Sequence, residues 1–431
     1  MPFTAAISVD LKGKIMELKE FCSQMGLSVD AESLLQNHWQ KIIENWGGKV
    51  PEFVSEEYLK KYLGHLQIPA EEEEILKRAR NVIAKCGSSE ACSLYMFVLY
   101  YGTFKLKLRL NPALQSKVWG EDEGIAALIA SLSCAPMIAE NCRKREIPEH
   151  YATDALQWIG GTVMIYKLAH NNIPGHSLQQ LYWLQLHCDG ELYRIGRFEY
   201  LIHRLPEWAP LIFRNEDGVF AILAAPNMKF NAKGLVTFGD DAVVESFIEE
   251  DGDFITGIPC TVEGLARVNE TLSIDRREFK AVCSPWDIVP SIHIPGGLRM
   301  GWDDVLNSLK EAKEFFKRYL KREIPMIVCG SWILNPALER FLPEGNMARF
   351  RRETFNIPMI RWGADGRDGM FFAFGRGDVD PTEIPPVNSV QKALQEIFKA
   401  EGTLRTGAMF VLCEDLDKLG NMYYRTQAKV L

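Results

Sequence analysis

The sequence predicts an α+β protein. An all-helical N-terminal domain, residues 1–190, precedes a C-terminal domain, residues 191–431, built on a mixed, mostly antiparallel sheet with flanking helices. Three observations carry this. Apolar residues recur at helical spacing throughout the first half. At Glu191 the chain turns aromatic and β-branched, with hairpin signals at Asn215–Gly218 and Asp251-Gly252. One long amphipathic helix then stands between two apolar strands near residues 290 and 328.

The first helix places Leu11, Ile15, Leu18 and Phe21 on one stripe. The second starts at Asp30, an N-cap candidate, and carries Leu34, Leu35, Trp39, Ile42 and Ile43. "PAEEEEILKRARNVIAKC" opens with Pro69 and an acidic first turn, both favourable at a helix N-terminus. Four more helical stretches follow, at "SSEACSLYMFVLYYGTFKL", "GIAALIASLSCAPMIAENC", "EHYATDALQWIGGTVMIYKLAHNN" and "SLQQLYWLQLHC", the last ending at Gly190. In the second half, "ELYRIGRFEYLIHRL" reads as one long strand. "WDIVPSIHIP" and "PMIVCGSW" read as strands on either side of a helix that runs from Asp303 to about Lys321, capped by Asp303 and burying Val305, Leu309, Ala312, Phe316 and Tyr319. "SVQKALQEIFKA" reads as a further helix. No Gly/Ser linker or repeat interrupts the chain.

Composition narrows the function. The chain has 431 residues and a net charge of −8, with a pI of about 5.7. Nucleic acid and anionic membranes are bound through clustered Lys and Arg, so both are poor partners for it. No apolar run reaches the roughly 18 residues of a membrane helix, and the N-terminus lacks a signal-peptide pattern. A cytoplasmic protein is expected. The ten cysteines contain no CxxC pair, and His38, His65, His150, His170, His176 and His187 lack ligand spacing, so no metal site is expected. Neither GxxxxGK[ST], HExxH nor GxSxG occurs, and Gly375-Arg376-Gly377 is only a fragment of a Gly-rich loop.

Three stretches hold the candidate site residues. Alternation along 191–205 puts Tyr193, Arg197, Glu199 and His203 on one face. That row could hold an anionic or acyl-bearing ligand and move a proton. It equally suits a cross-strand ion-pair ladder on an exposed face. In "VPSIHIPGG", Ser291 and His293 share the face opposite Ile292, at a strand end before a glycine loop, where binding residues gather. A structural histidine is the plainer alternative. In "MIVCGSW", Cys329 and Ser331 share a face and Trp332 starts a short helix. A cleft thiol and a ligand-facing tryptophan compete with a buried cysteine and a packing tryptophan.

Together these stretches resemble a family of bacterial acyltransferase-domain proteins that join a helical N-terminal domain to a GNAT-like C-terminal domain. The likeness runs over roughly residues 10–420. Arg197, Phe198, Glu199 and Tyr200 match its first motif, and His293, Ile294 and Pro295 its second. Cys329, Ser331, Trp332, Leu334, Pro336 and Leu338 match the third, and Asn346 and Phe350 the fourth. The resemblance implies a GNAT-like fold, acyl-CoA as co-substrate, and transfer of the acyl group to an amine or similar small-molecule nucleophile by direct attack. On that reading His293 or Glu199 is the base and Cys329 or Ser331 a polarising or relay group. Arg197, His203, Ser291, Ser331, Trp332 and Asn346 contact substrate. A ligand-binding or regulatory protein on the same scaffold is the alternative, and a hydrolase pairing Cys329 with His293 a third. The [QR]-x-x-G-x-[GA] loop by which typical GNAT domains cradle the CoA pyrophosphate is not found in this sequence.

Overall fold

The computed structural model describes residues 16–205, 210–283, 287–296, 299–359, 367–377 and 380–431. Leu11 and Ile15 lie outside them. The described chain divides into two compact units. One runs up to Asn141 and resumes over Leu156–Gly190; the other comprises Cys142–Ala155 and Glu191–Leu431.

The first unit is helical: α1 (Leu18–Met25), α2 (Val29–Leu35), α3 (Trp39–Trp46), α4 (Glu56–Leu63), α5 (Glu72–Ser88), α6 (Glu90–Phe104), α7 (Glu123–Leu132) and most of α8 (Ala135–Lys144). After α9 (Glu149–Ala155), which belongs to the second unit, come α10 (Gln157–Ala169) and α11 (Leu181–Asp189). Asp30 is not a cap. Ser28 stands at the N-cap of α2 and Asp30 lies in the first turn, where its charge favours the helix dipole. Ser55 and Ser89 do cap α4 and α6, accepting from the amides of Tyr58 and Cys92. α6 and α7 are buried almost all round and form the core of the unit. The expectation that no apolar run reaches membrane length needs correcting. Gly120–Lys144 passes by length and composition, but 72% of its apolar window is buried inside the protein, as in a core helix.

One core histidine has a defined proton. Ser131 Oγ donates to the Ala127 carbonyl (2.8 Å) and lies 3.0 Å from His176 Nδ1. With its own proton committed, the hydroxyl accepts from Nδ1–H. This leaves Nε2 as a bare acceptor, buried, with no hydrogen-bond partner among the described residues. Burial drives the His176 pKa down to about 3.

The second unit centres on a six-stranded sheet in the order β1-β2-β11-β12-β14-β13: β1 (Leu192–Ile195), β2 (Phe198–Leu201), β11 (Ser291–His293), β12 (Met326–Ser331), β14 (Gly407–Leu412) and β13 (Phe355–Ile357). Every neighbouring pair is antiparallel except β11 and β12. Three small sheets follow β2: β3 (Leu211–Arg214), β4 (Phe220–Leu223) and β10 (Lys280–Ala281); β5 (Lys229–Asn231) with β6 (Ala242–Glu245); and β7 (Ile248–Asp251), β8 (Phe254–Gly257) and β9 (Leu272–Asp275). The helices are α12 (Trp302–Tyr319), α13 (Leu338–Phe341), α14 (Asn346–Glu353), α15 (Arg367–Phe374), α16 (Ser389–Glu401) and α17 (Tyr423–Thr426). The α+β architecture is as the sequence predicts.

The single long strand expected at 191–205 is instead a hairpin. Ile195 pairs with Phe198 across the two-residue turn Gly196-Arg197. Gly196 has φ +55° as the first central residue, the pattern of a type II′ turn. A Cβ at Gly196 would stand 3.2 Å from Ser308 Cβ, so glycine also admits α12 closely against the turn. Ser308 pins that contact. It donates to the Ile195 carbonyl (2.6 Å) and, its proton so used, accepts from the buried Tyr200 hydroxyl (2.9 Å).

Candidate functional site

Strand register sorts the candidate residues onto two faces. Arg194 on β1 is opposite Glu199 on β2, which is opposite His293 on β11. Directly paired residues share a face, so these three form a row across three strands. Ser291 and Leu201 lie on the same face. Cys329 is on the other, and its buried thiol donates to the Ile292 carbonyl (3.4 Å). The structure therefore brings His293 and Glu199 together on one face and turns Cys329 to the other.

The row is not an exposed ion-pair ladder. Glu199 is 0% exposed and Arg194 1%. Burial lowers the Arg194 pKa, opposed by the charges of Glu199 and Asp154 and by Tyr200. Asp154 comes from α9, which packs on β1.

Arg197 departs from the expected strand face because it sits in the turn. Its guanidinium reaches the chain between β11 and α12, donating from Nη2 to the Pro295 carbonyl (3.0 Å) and from Nε to the Arg299 carbonyl (3.1 Å). Burial, then the like charge of Arg194, brings the Arg197 pKa down to about 10, against the pull of Asp304 and Glu199. Arg197 thus ties both sides of a loop rather than projecting toward solvent.

That loop leads from the carboxyl end of β11 into α12. The N-cap is Gly301 and no side chain caps the helix; Asp303, expected to cap, is inside the first turn with Asp304. An 18-residue helix with uncapped N–H groups is a ready anion site. Two arginines stand by it. Exposed Arg299 lies in the loop, and Arg349 of α14 places its guanidinium 5.4 Å from the Trp302 ring centroid, at the first residue of the helix. Arg349 gives no signal in the sequence, since only packing of α14 brings it here.

β11, α12 and β12 form a parallel crossover. The ladder between β11 and β12 registers at Ser291↔Val328, while β12 continues to Ser331 paired with β14. Beyond that pair the structure records no further register between the two strands among the described residues, and the Cys329 thiol meets the Ile292 carbonyl. The remaining candidates do not gather here. Ser331 accepts from the Ile333 amide and so caps the short turn Trp332–Leu334. Trp332 packs on the apolar cluster around Leu338, Met370 and Leu394. Exposed His203 turns a ring nitrogen to the Arg204 carbonyl. Asn346 is exposed at the start of α14. Among the described residues no group of His, Cys, Asp and Glu could hold a metal ion, and all ten cysteines are free thiols.

The central sheet is thus antiparallel but for one parallel crossover, β11–α12–β12. The family described as GNAT-like C-terminal domain matches residues 192–410, just over half of the chain, and the chain belongs to it. Solved acyltransferase structures match nearly end to end, over 92% of this chain and 99% of theirs. They include a complex with decanoyl-CoA and teicoplanin (16% identity, TM-score 0.55), one with CoA and 10C-teicoplanin (16%, 0.56) and one with decanoyl-CoA (17%, 0.54). At such identity the likeness is one of fold. No curated protein matches the chain.

Proposed function

We propose that the protein is an acyl-CoA-dependent acyltransferase working by direct attack. The observation that carries this reading is the β11–α12–β12 crossover, a parallel ladder registered at one pair, Ser291 with Val328, whose helix has an N-terminus that no side chain caps. Ligands of α/β sheets bind outside the carboxyl ends of such strands. The CoA pyrophosphate would take the α12 N-terminus, with Arg299 and Arg349 as counter-charges. The thioester would lie at the carboxyl ends of β11 and β12. His293, last residue of β11, accepts the proton from the attacking amine, and the nitrogen displaces CoA thiolate from the acyl carbon. Glu199 is too buried to meet solvent and serves His293 as its neighbour across the strands. A small-molecule amine and a cytoplasmic setting complete the reading. The solved relatives bound to decanoyl-CoA and CoA support the donor class.

One observation weighs against a phosphate at this helix end, and a ligand-binding protein without transfer on the same scaffold is the alternative reading. Asp303 and Asp304 place two carboxylates in the first turn of α12, where they compete with a phosphate for the helix N-terminus. Calorimetric titration with decanoyl-CoA, CoA and decanoate decides between the readings. Micromolar binding of the thioester, with CoA release when amines are supplied, is expected. Tight thioester binding with no turnover over an amine panel favours the binding protein, and absence of thioester binding at millimolar concentration overturns both.

A further inference from the structure

We propose that Arg194, anchored by Asp154 of α9, is a positioning residue that keeps Glu199 charged beside His293 and so sets the proton affinity of the base. This rests on the reading of His293 given above. Four observations carry it. The register places Arg194, Glu199 and His293 in one row. The rest of that face nearby is apolar apart from Ser291, with Leu192, Leu201, Val328 and Phe410. Arg194 and Glu199 are both fully buried, and an apolar pair of similar volume there would be as stable or more so. Finally, Arg194 Nε and Nη1 are buried with no hydrogen-bond partner among the described residues, so at least two of its three nitrogens are not held there by hydrogen bonds.

Each charge around the row has a place. Arg194 faces Glu199, Asp154 and Tyr200, with Arg197 a like-charged neighbour. Arg197 in turn feels Asp304 and Glu199. The Asp154 pKa is raised by its own burial and lowered by His150 and Arg194, with the Glu311 carboxylate of α12 raising it further. Removing an anion from this set lowers the proton affinity of His293; removing a cation raises it.

The test is an NMR titration of His293 in full-length protein carrying labelled histidine, its signal assigned by loss in a His293→Gln sample. Glu199→Gln is expected to move the midpoint down by about one pH unit, and Arg194→Met up by about one. Arg194→Lys should stay near the parent. The double variant Arg194→Met/Glu199→Gln removes both charges and should return close to the parent midpoint. It removes both members of the buried Arg194–Glu199 pair together, so it decides the matter if Arg194→Met alone does not fold. An unmoved or lowered midpoint in Arg194→Met, or a double variant shifted as far as Glu199→Gln alone, overturns the proposal. Decanoyl-CoA titrations of the same samples keep the two ideas apart: absence of binding removes the transferase reading, while the His293 midpoints still decide the role of Arg194.

Discussion

Replacing Arg197 with methionine separates what the guanidinium does for the fold from what it does for the loop before α12. Two hydrogen bonds from a charged donor contribute about 1.5–3 kcal/mol each, so the pair with the Pro295 and Arg299 carbonyls gives roughly 4 kcal/mol. Against this stands the cost of burying the charge. The Arg197 pKa falls from 12.5 to about 10, and that difference of about 2.5 corresponds to about 3 kcal/mol. The net is about 1 kcal/mol, and methionine keeps most of the buried volume. Urea unfolding of Arg197→Met should therefore show a loss of only about 1 kcal/mol. The loop, however, loses the whole of its tie. If a bound thioester must supply even a third of that 4 kcal/mol to order it, affinity for decanoyl-CoA falls about tenfold. Calorimetry on the same samples reads this. A loss of 4 kcal/mol or more in stability with unchanged affinity would refute the argument and make Arg197 a plain core residue.

Three further outcomes follow from the structure. His176 has its folded pKa held near 3 against an ordinary 6.5, so its contribution is whole above pH 6.5 and is lost as pH falls toward 3. The total is on the order of 5 kcal/mol, and His176→Gln should flatten the stability–pH curve over that window; an unchanged slope means the ring takes up a proton without unfolding. Ser308→Ala strands the buried Tyr200 hydroxyl and should cost about 1–3 kcal/mol, while Tyr200→Phe added to it should cost almost nothing more. Additive losses in that double-mutant cycle would mean the Tyr200 hydroxyl is satisfied elsewhere. Gly196→Ala puts a Cβ on a residue with φ +55° and against Ser308, with an expected loss of about 1–3 kcal/mol by thermal unfolding; a neutral variant would show that the turn relaxes freely.

Some of this was legible in the sequence and some was not, for physical reasons. The stripe of α12 reads directly, because one face of that helix meets the sheet and the other meets solvent: Val305, Leu309, Ala312 and Phe316 are all buried. β1 and β2 fused into one apparent strand for the opposite cause. Both are buried on both faces, so no alternation marks the turn and only Gly196 interrupts the pattern. The error carried forward, since parity counted through a hairpin put Arg197 in line with Glu199 and hid Arg194. His293 and Glu199 could be singled out by residue type, but their adjacency depends on β11 pairing with β2 across some 90 residues of chain. Arg349 was invisible because a surface arginine on a short helix carries no local mark.

The route of the backbone also governs how the protein can be taken apart. Residues 142–155 belong with the sheet-bearing unit although they precede the last two helices of the other one. The chain therefore passes from one unit to the other three times, and no single cut yields either piece whole. A fragment starting at residue 192, where the family match begins, would lack α9 and with it Asp154, leaving β1 stripped of the helix that packs on it. Recombining the C-terminal half with another helical partner would succeed only if that partner returned an equivalent of α9. The helix that the sheet needs is thus carried by a stretch of chain that lies, in sequence, between helices of the other unit.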